Sequence, residues 1–512
     1  MGLLLLAPVI FTVGVLIYSI ACIGRRGPNL PNGPRTLPII GNLHQMPLHK
    51  PYLQFTEWAK QYGGMYSLKL GPGTAVVLTD RRIIKQIMDK KASASSNRPV
   101  SLVSQHLITE GDHMLMMDNT PSKIHQAESV QLLYDVLQSP DEWMQHLKRF
   151  SNSIIMSIVY GIRSPSIDAP WTKKLNDIVE LWARINEFGA TPPVDLFPIL
   201  KLVPQRFLGN WMNRASLVHD KVHNLYGGLL RSVEERRRTT GPTDCIADRL
   251  LEQEEKHGLS SHNIMLLAGV TLKGGSDTSA STLSSWLQAM ILYPEVQKKA
   301  QAEIDAVVGD KRLPTWSDYK SMPYLATMVK EAMRWRPTAP LGFPHALSED
   351  QWVDGKFLPK GTVLFVNVYG LHQDESKFPH PNTFDPDHYK GRTLLAAEYA
   401  NSADYENRDH YGFGNGRRLC PGIHLADRNL WHAITKLLWA FKIEPKMDPE
   451  TKKPILPDPS VETGYREGLT MCPFEFPAMI TVRSEARRQL ILKEYADAKA
   501  NFFPKYEQVD LF

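Results

Sequence analysis

Apolar and polar positions divide this chain into one uncharged stretch, a few short strand-like runs and many segments of helical period. Residues 2–23 carry no charged side chain, and ~20 apolar residues are enough to cross a bilayer core as a helix. The first charges, Arg25 and Arg26, follow the run, which by the positive-inside rule keeps that side cytoplasmic. A cleaved signal would carry its charge before a shorter apolar core. One N-terminal transmembrane helix, residues 1–24, is therefore expected. Prolines 28, 31, 34 and 38 exclude helix from the next stretch. Residues 25–50 read as a Pro-rich hinge, a semi-rigid spacer. No later linker or repeat splits the remainder, so residues 51–512 read as one unit.

Within that unit, Met65 to Leu70 and Thr74 to Leu78 flank Gly71-Pro72-Gly73, the pattern of a hairpin. A second hairpin is expected at Trp352-Val353 and Lys356-Phe357, across the favoured Asp354-Gly355 turn. Another strand is expected from Thr362 to Val368. Ser261 to Leu292 predicts one very long helix, capped by Ser260 or Ser261 and ended before Pro294. Pro294 opens a helix over Glu295 to Val308, closed by Gly309, and Pro323 opens another that ends before Pro337. Ile423, Ala426, Leu430, Ile434, Leu437 and Leu438 form an apolar stripe along Ile423 to Phe441. The expected fold class is mainly α with a small β part.

Charge narrows the partners. The 59 Lys+Arg nearly balance 54 Asp+Glu, and no long basic block occurs, so nucleic acid is not an expected partner. Arg236-Arg237-Arg238, after Glu234-Glu235, reads as a solvated helix end. Four cysteines in 512 residues exclude a disulfide scaffold and suggest a reducing compartment.

The sharpest chemical feature is Tyr411-Gly-Phe-Gly-Asn-Gly-Arg-Arg-Leu-Cys-Pro-Gly422. Cys420 precedes Pro421, a good first helical residue, and so stands at a helix N-terminus that favours thiolate. Gly412, Gly414 and Gly416 let backbone approach a flat ligand, and Arg418 is placed to pair with an anionic group. Zinc would need a second ligand nearby, and no Cys-x-x-Cys occurs. A dinucleotide loop would need glycine where Arg417 stands. A cysteine nucleophile would have His424 as its nearest base, and a lone structural cysteine is the plainest reading. The remaining fit is a single thiolate ligating haem iron.

Two further features lie on expected helices. Gly274-Gly275 costs the long helix roughly 2 kcal/mol relative to alanine. This marks either a place that opens for a ligand, with Asp277-Thr278 to relay protons, or a local bulge. Glu331 and Arg334, spaced i,i+3, share one helix face.

Phe413-x-x-Gly416-x-Arg418-x-Cys420-x-Gly422 resembles the haem-ligand signature of the cytochrome P-450 monooxygenases at every fixed position. The Glu331-x-x-Arg334 pair, followed by Pro337, Pro340, Pro344 and Phe384-Asp-Pro-Asp-His-Tyr389, resembles that family's order of motifs. The resemblance implies the cytochrome P-450 fold and haem b with Cys420 as axial iron ligand. It also implies O2 and electrons from NADPH through an NADPH-cytochrome P-450 reductase. It makes Asp277 and Thr278 the proton-delivery pair and Arg418 and His345 the propionate contacts. Glu331, Arg334 and His388 become the proximal structural network, with His388 where the family usually has arginine. The Leu37-Pro-Ile-Ile-Gly-Asn42 entry and the Gly-Gly-Ser-Asp-Thr-Ser phrase are similar to the fungal class that decorates secondary metabolites. An apolar substrate is expected, lined in part by Leu469-Thr470-Met471-Cys472. The expected location is the endoplasmic reticulum membrane, single-pass, with the catalytic part in the cytoplasm.

One departure stands out. Between Met114-Leu-Met-Met117 and Asp118-Asn-Thr-Pro121, the family has a helix bearing a Trp-Arg-x-x-Arg-like element, whose basic groups contact a haem propionate. Here about one helix of sequence is missing. A haem-binding homologue with impaired turnover is therefore the alternative expectation. A membrane-tethered structural protein without haem is the other rival.

Overall fold

The computed structural model describes residues 22–95, 122–186, 189–466, 468 and 470–506. The expected transmembrane helix thus lies outside the described residues, apart from residues 22–24, and so does the 114–121 junction. Among the described residues no helix is long and apolar enough to cross a membrane.

The fold is mainly helical. Its longer helices are α1 (Pro51–Tyr62), α2 (Ser122–Gln138), α3 (Trp143–Tyr160), α4 (Pro170–Ile185), α5 (Trp211–Thr239) and α6 (Ser261–Leu292). They continue with α7 (Pro294–Val307), α8 (Pro323–Trp335), α9 (Ile423–Ala440) and α10 (Glu485–Asn501). Local chemistry sets several of these ends. The Ser260 hydroxyl accepts the Asn263 N–H at 3.2 Å and starts α6. Pro294 and Pro323 open α7 and α8 at positions whose amide would have had no helical partner.

α6 is the axis of the molecule. Leu283, Trp286, Leu287 and Met290 join one core with Phe150 of α3, Met328 of α8 and Leu437 of α9. Two glycines set its approach to neighbours. A Cβ on Gly269 would sit 2.0 Å from the Tyr226 ring of α5, and one on Gly275 would sit 2.6 Å from Ile155 of α3. The helix is unbroken through the glycine pair, so the bulge reading is not what occurs. Gly275 is there for close packing.

A small sheet lies to one side, in the order β1-β2-β6-β3. β1 (Met65–Leu70) and β2 (Gly73–Leu78) form the first expected hairpin; β3 is His345–Ala346. β4 (Gln351–Val353) and β5 (Lys356–Leu358) form the second hairpin, with positive φ at both Asp354 and Gly355. β6 (Val363–Val366) runs parallel to β2 and antiparallel to β3. A C-terminal sheet of β7 (Phe441–Met447), β8 (Pro454–Ile455) and β9 (Ala478–Val482) closes the other end.

Two readings change in detail. Arg236 is not solvated: it is buried with both Asp248 carboxylate oxygens 2.9 Å from its Nη2. Only Arg238 of that run is exposed, against Glu235. The Pro-rich stretch is also docked along β1. Arg26 donates to the carbonyls of Gly33, Pro34 and Ser67 at 2.8–3.0 Å, and Asn42 Oδ1 accepts the Lys69 N–H at 2.8 Å.

Candidate active site

The Cys420 loop is a tight backbone cradle. Gly414 and Gly416 take φ of +77° and +59°, which side chains on L-residues rarely adopt. A Cβ on Gly416 would also collide with the Met88 carbonyl at 2.0 Å, so glycine is required there. The Cys420 N–H donates to the Phe413 carbonyl at 2.8 Å, folding the loop back on itself. Phe413 is buried beside the His410 ring. Helix α9 starts at Ile423 rather than Pro421, so Cys420 precedes its first turn by three residues. Burial pushes the thiol up, while a hydrogen bond from the Gly422 N–H works the other way. A Cβ on Gly422 would stand 3.7 Å from Sγ, in ordinary van der Waals contact. His424 is exposed.

Behind the loop lies the Glu331–Arg334 pair, fully buried, with Arg334 Nε and Nη2 each 2.7 Å from a carboxylate oxygen. Arg334 also donates to the carbonyls of His372 and Thr383. Glu331 Oε1 accepts the Asp385 N–H at 2.9 Å and lies 3.1 Å from His388 Nδ1. The other ring nitrogen of His388 lies 2.7 Å from the Pro379 carbonyl. Both partners are acceptors, so the protonated ring, in which both nitrogens donate, is the form that suits them. Burial opposes that charge, but Glu331 and Pro379 outweigh it and raise the His388 pKa.

Sequence reasoning missed the residues that join this network to the loop. His372 Nδ1 donates to the Arg334 carbonyl at 3.1 Å, and its Nε2 accepts the Tyr411 N–H at 2.9 Å. Burial, with His410 and Arg334 nearby, pushes its pKa well down and keeps it neutral. Arg408 ties the loop from inside through Asn415 Oδ1 at 2.9 Å and the carbonyls of His410 and Gly414. Lys330 meets Asp409 at 2.9 Å in a buried pair. Isolated His, Arg and Asp residues carry no periodic signal. The one local hint is the charged Arg408-Asp409-His410 triplet next to the glycine loop.

On α6, the glycine pair sits where the helix is no longer covered. Residues 279–291 are all buried, whereas Gly274 is exposed and a Cβ on it would meet nothing within 4 Å. Thr278 donates its hydroxyl to the Gly274 carbonyl at 2.7 Å. Asp277 is not turned to Thr278; its Oδ2 accepts the Thr470 hydroxyl at 2.8 Å. His345, buried on β3, has Nδ1 2.8 Å from the Ser95 carbonyl. Arg418 is exposed at the end of a single 3-10 turn, Gly416–Arg418.

The donor set tests what such a site could hold. Among the described residues no group of three or more His, Cys, Asp or Glu could hold a metal ion. Cys420 therefore fits a group that brings its own ring of donors and takes one protein ligand, as haem does. The family model described as cytochrome P-450 matches residues 31–131 and 127–463. The chain belongs to the cytochrome P-450 family. It is 46% identical to a cytochrome P-450 monooxygenase, macC, of Penicillium terrestre over 504 positions, covering 93% of this chain and 94% of the relative. It is 47% identical to one from Arthrobotrys oligospora, covering 96% of each. A third, yanC of Aspergillus niger, is 45% identical over 93% of this chain and 94% of its own length. This cytochrome P-450 is thus a monooxygenase, an oxidoreductase that uses haem iron, O2, a small-molecule substrate and electrons from a redox partner.

Proposed function

We propose that this protein is a membrane-anchored haem-thiolate monooxygenase that oxidises an apolar small molecule in secondary-metabolite biosynthesis. Its kinship with monooxygenases of filamentous fungi supports the pathway class. Cys420 holds the iron, Phe413, Gly416 and Gly422 shape the cradle, and Arg418 and His345 take the propionates. Bound there, haem b supplies the activation of O2 for insertion into a carbon–hydrogen bond. The chain's own part is positioning and proton supply. The Gly422 N–H steadies negative charge on the sulfur. Asp277, bonded to Thr470, and Thr278, its proton resting on the Gly274 carbonyl, form the route for protons into the opening of α6. Glu331, Arg334 and His388 fix the proximal side through His372.

Electrons come from NADPH through a cytochrome P-450 reductase, with the protein in the endoplasmic reticulum membrane and the catalytic part in the cytoplasm. The uncharged residues 2–23 support the anchor. So does an exposed apolar face of Ile199, Leu202 and Phe207, 66%, 79% and 68% accessible. This face adjoins the Pro-rich segment, because Phe197 packs on Gly71, whose N–H donates to the Ile40 carbonyl.

The observation that carries the reading is the Cys420 cradle: a sulfur held in a glycine loop, with one backbone donor and, among the described residues, no cluster of further metal ligands. The test is the reduced carbon-monoxide spectrum. The wild type shows the thiolate-type band and Cys420→Ser loses it, because a hydroxyl is the weaker donor. A serine variant keeping that band would remove Cys420 from the assignment.

A second reading, a haem-binding homologue with impaired turnover, is favoured by the way the family match breaks. It falls in two pieces that meet at residues 127–131, just past the Met117–Pro121 junction. The 504 positions aligned with the Penicillium terrestre relative take up 93% of 512 residues, about 476, so about 28 positions of the relative face no residue here.

A further inference from the structure

The opening in α6 contains a cation that the proton route does not use. Lys273 stands one residue before Gly274 and one turn before Asp277. Its Nζ lies 3.8 Å from the centroid of the Trp182 ring, near the C-terminal end of α4. No ion pair is formed by Lys273 among the described residues, and none of its three N–H donors has a hydrogen-bond acceptor there. Asp277 is engaged by Thr470 instead. An ammonium on an indole face gains about 0.5–2 kcal/mol, while leaving water for a half-buried site costs it solvation. Burial accordingly pushes Lys273 down to about 7, with Asp277 alone pulling it back up. An apolar side chain would lock α4 to α6 without that cost. The arrangement is explained if an acceptor arrives with the ligand.

We propose that Lys273 is a specificity-determining residue that recognises an acidic oxygen, a carboxylate or a phenol hydroxyl, on an aromatic substrate whose ring lies beside Trp182 in the α6 opening. This rests on the reading of that opening as the substrate site, and it refines the substrate from simply apolar to an apolar ring with one acidic handle. The lysine suits both oxygens. As ammonium it pairs with a carboxylate, and as amine it accepts the phenol proton. The ring covers the apolar wall while the handle fixes which carbon faces the reaction centre.

The test uses the full-length, haem-loaded protein and equilibrium dialysis. The probes are 4-ethylbenzoate against its methyl ester, and 4-ethylphenol against 4-ethylanisole. The wild type binds the acid of at least one pair about tenfold tighter than its capped partner, the scale of a hydrogen bond to a charged group. Lys273→Met abolishes that preference while holding the capped compounds as before, and Lys273→Arg keeps the carboxylate preference. Lys273→Gln replaces the methionine variant if the latter fails to fold. Equal binding within both pairs by the wild type, or a preference that survives in Lys273→Met, overturns the proposal. The carbon-monoxide band is recorded on the same samples. A normal band with no acid preference rejects the lysine's role alone, whereas a missing band in the wild type rejects the haem-thiolate reading beneath it.

Discussion

His388 shows how one side chain can change the pH behaviour of a shared network. Where the family usually has arginine, this chain places the His388 ring between Glu331 and the Pro379 carbonyl. Its pKa is raised in the folded state above the ordinary 6.5. The stabilisation is therefore fully present below about pH 6.5 and is lost as pH rises through the raised folded value. His388→Arg should remove that loss and stabilise the protein by about 1–2 kcal/mol at pH 8.5, with little change at pH 6. Thermal unfolding of both forms at the two pH values checks this; a parallel pH response would refute it. Thr278 makes the second residue-scale case. Thr278→Ala should keep haem and the thiolate band but lose the hydroxyl proposed to move a proton. Peroxide released per NADPH consumed should rise about tenfold or more. An unchanged ratio would take Thr278 out of the proton route.

At the scale of elements, the Pro-rich segment behaves as part of the sheet. Arg26 clamps Gly33, Pro34 and Ser67, and Gly41 bridges to Leu70. On the proposed anchoring, the boundary between anchor and body would fall before Arg25. A protein lacking residues 2–24 keeps every Arg26 bond, and should unfold at the same temperature as the full chain while leaving membranes on an alkaline carbonate wash. Full-length protein that also washes off would argue against the anchor. Truncated protein that stays bound would locate a second membrane contact on the Ile199–Phe207 face.

At the scale of the whole molecule, the break in the family match concerns haem retention. A missing helix takes away basic partners of a propionate, and an ion pair that loses one member costs about 3–5 kcal/mol. The chain as written should bind haem at least about tenfold more weakly than a form restored with the corresponding segment of the Penicillium terrestre relative. Haem titration of both proteins, with turnover alongside, decides the matter. Equal affinity and equal turnover would show that the remaining contacts suffice.

Sequence alone determined whatever rests on local covalent chemistry. Prolines and a serine cap set the ends of α6, α7 and α8, because ring closure and side-chain capping act within a turn of chain. The Asp354-Gly355 turn fixed its hairpin for the same reason. The glycine loop around Cys420 was legible because positive φ and close approach demand glycine wherever they occur. Tertiary structure alone decided what rests on residues far apart in the chain. Arg236 looked solvated by its local charge run, and is buried because Asp248 arrives from the next helix. Asp277 was read with its neighbour Thr278, but its carboxylate turns to Thr470 from a loop 193 residues away. His372 carried no sequence signal, yet it joins Arg334 to Tyr411 through backbone atoms that only folding brings together. Hydrogen bonds to backbone leave no side-chain pattern to read, so the link between the buried ion pair and the cysteine loop could be seen only in three dimensions.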